Sequence, residues 1–222
     1  MIDTHSILIF IHIVLMSYWL GGDLGVFLAA NRVADPALPF DERMRFMKLL
    51  MILDMAPRTA LVLMLPVGFH MAVNIGLVAL PGWALVVIWA SAVAWLALTW
   101  VVSLSEGKLE GSPLPKLDLW TRYLVLGALI ALGILSLVTG SPIFANWLAV
   151  KLLLFAGIII LGLLLRGAVA KWVVGFGRLS EEGSTPEIEA IIGGARKTAA
   201  RQALLLWGLV LVNGFLGVTQ PF

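Results

Sequence analysis

Six long apolar segments set the strongest limit on what this 222-residue chain can fold into. A helix that crosses the hydrocarbon core of a bilayer, which is about 30 Å thick, needs about 20 mostly apolar residues. Hydrophobic residues make up 61% of the chain and its mean hydropathy is +1.02, whereas soluble domains are far more polar. The sequence therefore predicts an all-α, polytopic membrane helix bundle that forms a single domain in the lipid bilayer. Its six transmembrane helices are expected at about 7–28, 59–78, 83–104, 124–139, 143–165 and 203–218.

Lysine and arginine residues are concentrated on one side of this predicted bundle. Fourteen of the fifteen basic residues lie in or beside the connections that follow the first, third and fifth segments, and Lys151 is the exception. Cytoplasmic loops of membrane proteins carry an excess of lysine and arginine. We therefore expect these connections in the cytoplasm and both termini outside, in a multi-pass protein of the inner membrane of a bacterium.

Charge and cysteine content exclude several classes of function. The net charge is only +2, and no basic cluster is interleaved with aromatic residues, so nucleic acid is not an expected partner. The chain has no cysteine. This excludes disulfides, thiolate zinc sites and covalently attached c-type haem.

Two of the basic connections contain helical patterns. The residues 41–55 place methionines and leucines at helical intervals, opposite a basic face formed by Arg43, Arg45 and Lys48. Pro57 lies where this helix would kink or a new one would begin.

The third basic connection contains a helix start. The run Ser184-Thr185-Pro186-Glu187 places a proline at the first helical position. We expect only a short amphipathic piece there, from Glu187 to Ile192, within an otherwise polar and solvated connection.

Three titratable residues interrupt three different apolar segments. His12 lies in the first segment, His70 in the second and Lys151 in the fifth. With a rise of about 1.5 Å per residue, all three are expected roughly 10–12 Å below the outer surface. Polar groups at this depth usually mark function. Two histidines at one depth on facing helices predict a haem iron with axial imidazoles, and Lys151 would pair with a haem propionate or serve as an amine ligand.

A copper site is the competing interpretation of the two histidines at this shared depth. Soft thioethers favour Cu(I), and His12 and His70 have methionines within reach, namely Met16, Met64 and Met71. His5 lies nearer the outer surface and is expected to be a solvated histidine.

A second polar group is expected toward the inner side. Asp54 and Arg58 are four residues apart and share a helix face, while Asp23 lies in the inner half of the first segment. Because buried charges are usually paired, the favoured interpretation is an ion pair that closes the inner end. The functional alternative is a proton path, or a site where Arg58 meets a quinone or the carboxylate of a porphyrin.

The first helix contains the pattern H-x6-W-x-G-G, formed by His12, Trp19, Gly21 and Gly22. In this pattern the helix resembles the first helix of the HemJ/CopD-like superfamily of membrane proteins. The superfamily includes HemJ-type protoporphyrinogen oxidases, CopD-type copper-resistance proteins and related haem-binding membrane domains. The run 147–154, in which Lys151 follows Trp147 by four positions, is similar to a HemJ segment. A weaker match extends from Arg45 to Arg58.

The resemblance implies a b-type haem held by His12 with Lys151 nearby, and Trp19 and Arg58 are further candidates to contact the cofactor. Six helices and an intramembrane His70 depart from the HemJ pattern, which favours electron transfer over protoporphyrinogen oxidation. The leading hypothesis is a cytochrome b-like membrane protein that carries electrons between a quinone or partner protein and a haem b near the outer face. The alternatives are a HemJ-type protoporphyrinogen IX oxidase, a copper transporter, and a non-catalytic subunit that binds other membrane subunits.

Overall fold

The computed structural model describes residues 3–105 and 111–221, and this part of the chain contains seven α-helices and no β-strand. The helices are α1 (Thr4–Val33), α2 (Phe40–Leu53), α3 (Met55–Asn74), α4 (Gly82–Leu104), α5 (Leu114–Thr139), α6 (Asn146–Glu182) and α7 (Pro186–Thr219). Six of the helices found there are long and apolar enough to cross a membrane, with α2 and α3 counted as one nearly continuous helix. The predicted all-α polytopic bundle is therefore confirmed.

The six spans follow one another around the bundle in the order α1, α3, α4, α5, α6 and α7, and α7 also contacts α1. Their shared core contains Trp19, Leu129, Phe155, Ile158 and Val210. We call the side with the lysine- and arginine-rich connections the basic end. The side where α1 begins and α7 ends is the opposite end.

A helix boundary separates α2 from α3 where the sequence indicated one. α2 ends at Leu53 and α3 begins at Met55, so Pro57 lies in the first turn of α3. Proline is tolerated there because the first N–H groups of a helix have no intrahelical acceptor.

α6 and α7 are much longer than their apolar segments. α6 has 37 residues and α7 has 34, which corresponds to about 55 Å and 51 Å, against about 30 Å for the hydrocarbon core. Both extend past the basic end, where they pack with α2 and the end of α1. The expectation of only a short helix at 187–192 is therefore wrong, since this piece is the first part of α7.

A second apolar core explains why α7 starts so early. Trp172, Phe176 and Leu179 of α6 pack against Ile188 and Ile192 of α7. The indole N–H of Trp172 donates a hydrogen bond to the carbonyl of Ile192 at 3.0 Å. The start itself is the predicted one, because Thr185 caps α7 by accepting a hydrogen bond from the backbone N–H of Ile188 at 3.3 Å. The extension is thus held by burial as well as by local helix signals.

The predicted basic face of α2 is only partly correct. Arg43 is 1% exposed and lies in the second core instead of facing solvent with Arg45 and Lys48. Its Nε donates to the carbonyl of Val33 at 2.8 Å, and its two terminal nitrogens donate to the carboxylate of Glu189 at 2.8 and 3.2 Å. Arg43 therefore satisfies a free carbonyl at the end of α1 and ties α2 to α7.

Candidate functional site

A cavity of about 330 Å³ opens at the opposite end of the bundle, between α1, α3, α6 and α7. Its wall is mostly apolar and aromatic, with Trp19, Phe69, Trp147 and Phe155 among the lining residues. A few polar side chains converge on it, which is the usual composition of a small-molecule or cofactor site. These side chains are His5, His12, Lys151, Asn213 and Gln220.

One stripe of α1 supplies the imidazoles of this cavity. His5, His12 and Trp19 are spaced seven residues apart, which is close to two helical turns, so they share one face. Both histidines are half-buried, and the Nδ1 atoms of both are buried without a hydrogen-bond partner among the described residues. His5 is therefore part of the cavity wall instead of the solvated histidine that its position in the chain suggested. The seven-residue spacing is the sequence signal that indicates this.

Lys151 lines the same cavity from α6. Its Nζ lies 5.9 Å from the centre of the Trp147 ring, and its backbone carbonyl accepts a hydrogen bond from Asn213 at 3.1 Å. A methyl group at Gly217 would collide with the Nζ atom, so α7 leaves room for the amine. His12 of α1 and Lys151 of α6 both line this cavity. The structure thus brings together His12, Trp19 and Lys151, as the sequence predicts.

His70 does not line the cavity. A methyl group at Gly68 would lie 3.6 Å from Cε1 of His12, so Gly68 marks the face of α3 that is turned toward α1. Two residues correspond to about 200° of helix rotation, which places His70 on nearly the opposite face. There its ring packs edge-on against Trp89 of α4, with the ring centres 6.3 Å apart. The structure therefore does not bring His12 and His70 to one site, although the Nδ1 of His70 also has no hydrogen-bond partner among the described residues.

All three methionines of the copper interpretation line the cavity, namely Met16, Met64 and Met71. Met16 lies against α7, where its Cε would be 2.8 Å from a methyl group at Gly214. Within residues 3–105 and 111–221, no three His, Cys, Asp or Glu side chains are grouped to hold a metal ion. A metal here would therefore depend on thioether or amine ligands in addition to imidazole.

Arg58 lies far from this cavity, at the basic end. Its Nε donates to Asp54 at 2.6 Å and its Nη1 donates to Ser103 at 3.3 Å. The predicted ion pair between Asp54 and Arg58 is therefore present. Asp23 forms no ion pair with the described residues, and its carboxylate accepts a hydrogen bond from the indole N–H of Trp207 at 3.3 Å.

A further charged cluster at the basic end was not predicted. Asp118 of α5 is 2% exposed and binds Arg122 of its own helix and Arg166 of α6. The spacing of four residues between Asp118 and Arg122 is a sequence signal for this pair. The contact with Arg166 joins residues 48 positions apart and depends on the packing of α5 against α6.

No protein-family model, curated protein or solved structure matches this chain. The fold defines the class as a multi-pass membrane protein. Any more specific function must be argued from the chemistry of the cavity.

Proposed function

We propose that this protein binds haem b in the cavity at the opposite end and carries electrons between that haem and a quinone or partner protein. The observation that supports this most directly is that His12 and Lys151, from two different helices, meet in one largely apolar cavity. The resemblance of their motifs to HemJ/CopD-like proteins agrees with this proposal.

The residues of the cavity fit a haem. Neutral imidazole is a common axial ligand of haem iron, and the ring of His12 has a buried nitrogen with no partner among the described residues. Trp19 and Phe155, whose ring centres are 5.9 Å apart, form an aromatic part of the cavity wall against which a haem ring could pack. A bound haem would supply a one-electron redox centre. In this arrangement His12 would hold the iron, and His70, which lies outside the cavity, would not.

Lys151 would hold the anionic edge of the cofactor. Its ammonium group is half-buried and has no carboxylate partner among the described residues. An unpaired charge in a membrane segment is costly, so a haem propionate would be a favourable partner. His5 lies about 10 Å from His12 along the same helix, which is too far for both to ligate one iron from one face.

The decisive experiment is a dithionite-reduced minus oxidised absorption spectrum of the purified protein. We expect a b-type spectrum in the wild type, its loss in His12→Ala, and its retention in His70→Ala. His70→Ala is the matched control, because it removes the same ring at a position outside the cavity. A wild type without b-type absorption would overturn the proposal, and equal spectra in wild type and His12→Ala would refute the role of His12.

Copper transport is the second candidate, and the three methionines of the cavity support it. Thioethers with an imidazole form a ligand set suited to Cu(I), and Met16 and His12 are one helical turn apart on α1. Metal analysis of protein purified after growth with copper tests this candidate. Stoichiometric copper that disappears in Met16→Leu/Met64→Leu, without b-type absorption in wild type, would favour copper over haem.

A further inference from the structure

The charged cluster around Asp118 carries more positive than negative charge. Oδ2 of Asp118 accepts hydrogen bonds from Nε of Arg122 at 3.1 Å and from Nη2 of Arg166 at 2.6 Å. Its Oδ1 accepts from Nη2 of Arg122 and from the hydroxyl of Thr99, both at 3.3 Å. Among the described residues, two guanidinium groups therefore share this one carboxylate, so one positive charge is not balanced there.

The nearby pair of Asp54 and Arg58 does not balance this charge. That pair is neutral by itself: Arg58 donates to Asp54 and to Ser103, which lies one helical turn after Thr99 on α4. Within the described ranges, neither Arg122 nor Arg166 forms an ion pair with a second carboxylate. An unbalanced guanidinium group at the edge of a membrane is unfavourable unless an anion or water reaches it.

Arg166 is the member of the cluster that an external anion can reach. Its side chain is 42% exposed, against 13% for Arg122. Only its Nη2 donates to a described residue, so within the described part of the chain its Nε and Nη1 N–H groups have no acceptor. The guanidinium plane can present two parallel N–H groups to a phosphate, which an ammonium group cannot do.

Aromatic residues beside the cluster mark the level of the lipid headgroups. Trp120 and Tyr123 of α5 are both exposed, and their ring centres are 6.1 Å apart. Tryptophan and tyrosine are enriched at the interface between membrane and water. Trp120 and Tyr123 flank Arg122 in sequence, and Arg122 shares Asp118 with Arg166. The exposed side of Arg166 therefore lies at the level where phosphate groups of lipids are abundant.

We propose that Arg166, with Arg122 behind it, binds a phosphate group at the membrane surface of the basic end, carried by an anionic phospholipid or by free phosphate. Basic pockets between transmembrane helices on the cytoplasmic side are a known way of binding anionic headgroups. This site is separate from the cavity at the opposite end and does not depend on a haem there.

Native mass spectrometry of the detergent-solubilised protein tests the proposal. The protein is titrated with phosphatidylglycerol or with phosphatidylcholine, with and without excess inorganic phosphate. We expect preferential retention of phosphatidylglycerol and about a fivefold weaker retention in Arg166→Gln. The matched control is Lys171→Gln, which removes one positive charge from an exposed position five residues further along α6 and should leave retention unchanged.

The phosphate arm separates the two sources of the anion. Displacement of phosphatidylglycerol by inorganic phosphate would support a site open to free phosphate, and retention in its presence would support the lipid headgroup. Asp118→Asn, which leaves both guanidinium groups without their carboxylate, should retain phosphatidylglycerol at least as well as wild type. Three results would each overturn the proposal. The first is equal retention of the two lipids by wild type, and the second is an equal loss of phosphatidylglycerol retention in Arg166→Gln and Lys171→Gln. The third is weaker retention of phosphatidylglycerol by Asp118→Asn than by wild type. Thermal unfolding of every variant checks that it is folded. If Arg166→Gln is not folded, the retention of phosphatidylglycerol by Asp118→Asn tests the proposal instead.

Discussion

Gly21 and Gly22 give the sharpest test of how α1 packs on α3, because adjacent glycines in one helix have opposite surroundings. A methyl group at Gly22 would lie 2.7 Å from Cδ of Pro57 and 2.9 Å from Cβ of Ala56. A methyl group at Gly21 would meet nothing within 4 Å. Gly21→Ala and Gly22→Ala are therefore the same chemical change, but only Gly22→Ala produces a steric clash.

The magnitude of the difference follows from these contacts. Replacing glycine with alanine in a helix is favourable by about 1 kcal/mol at either position, because alanine loses less backbone freedom. Extra methyl groups forced into a packed interface cost about 1–3 kcal/mol, and neither the ring of Pro57 nor the methyl group of Ala56 can rotate away. We thus expect Gly22→Ala to be about 1–3 kcal/mol less stable than Gly21→Ala, a difference in Tm of about 2–12 °C at 2–4 °C per kcal/mol.

Thermal unfolding of both variants in the same detergent measures this difference directly. Because both carry an identical substitution, effects of detergent and of the unfolded state largely cancel. Equal melting temperatures, or a higher one for Gly22→Ala, would refute the close packing of α1 on the start of α3.

Three further predictions concern charged residues. Lys151→Arg should retain b-type absorption and Lys151→Ala should weaken it if Lys151 pairs with a propionate, whereas loss in both variants would indicate that the amine itself is a ligand. Arg43→Met should lower the free energy of unfolding by about 3–5 kcal/mol, because it leaves the largely buried carboxylate of Glu189 without its ion-pair partner. The double variant Arg43→Met/Glu189→Leu should recover part of that loss. Chemical denaturation measures both variants, and a loss below about 1 kcal/mol in Arg43→Met would show that the pair behaves as a surface ion pair. Burial raises the pKa of Glu189, but hydrogen bonds from Arg43 and Ser184 and the charge of Arg43 outweigh this and hold the pKa below its ordinary value. The stabilisation by this pair is therefore complete at neutral pH and lost as the pH falls through the lowered pKa, so the melting temperatures of wild type and Glu189→Gln should converge in acid, and a gap independent of pH would contradict this.

The sequence predicted well what depends on distance along one chain segment. The six spans, the start of α7 directly after Thr185 and the break before Pro57 all follow from apolar length, capping residues and proline geometry. The shared depth of His12 and Lys151 follows from the constant rise of a helix, and the structure places both in one cavity. The seven-residue spacing of His5, His12 and Trp19 also indicates that these three residues share one helix face, and the structure places His5 in that cavity.

The sequence predicted less well what depends on the direction in which a helix face points. His70 has the expected depth, yet it faces α4 because the face of α3 that carries Gly68 packs toward α1. Arg43 belongs to a polar pattern, yet it is buried because Phe176 of α6 and Glu189 of α7 pack against it. In both cases the deciding partner is distant in the chain.

By itself, the sequence determined that this is a membrane bundle of six long helices with its basic connections on one side. Hydrophobic length and charge are local properties, and they act on each segment before any two helices meet. Only the tertiary structure decided which polar groups share a site, because this depends on the rotation of each helix against its neighbours. That rotation turned Lys151 and His12 toward one cavity, turned His70 away from it, and placed Arg166 beside Asp118.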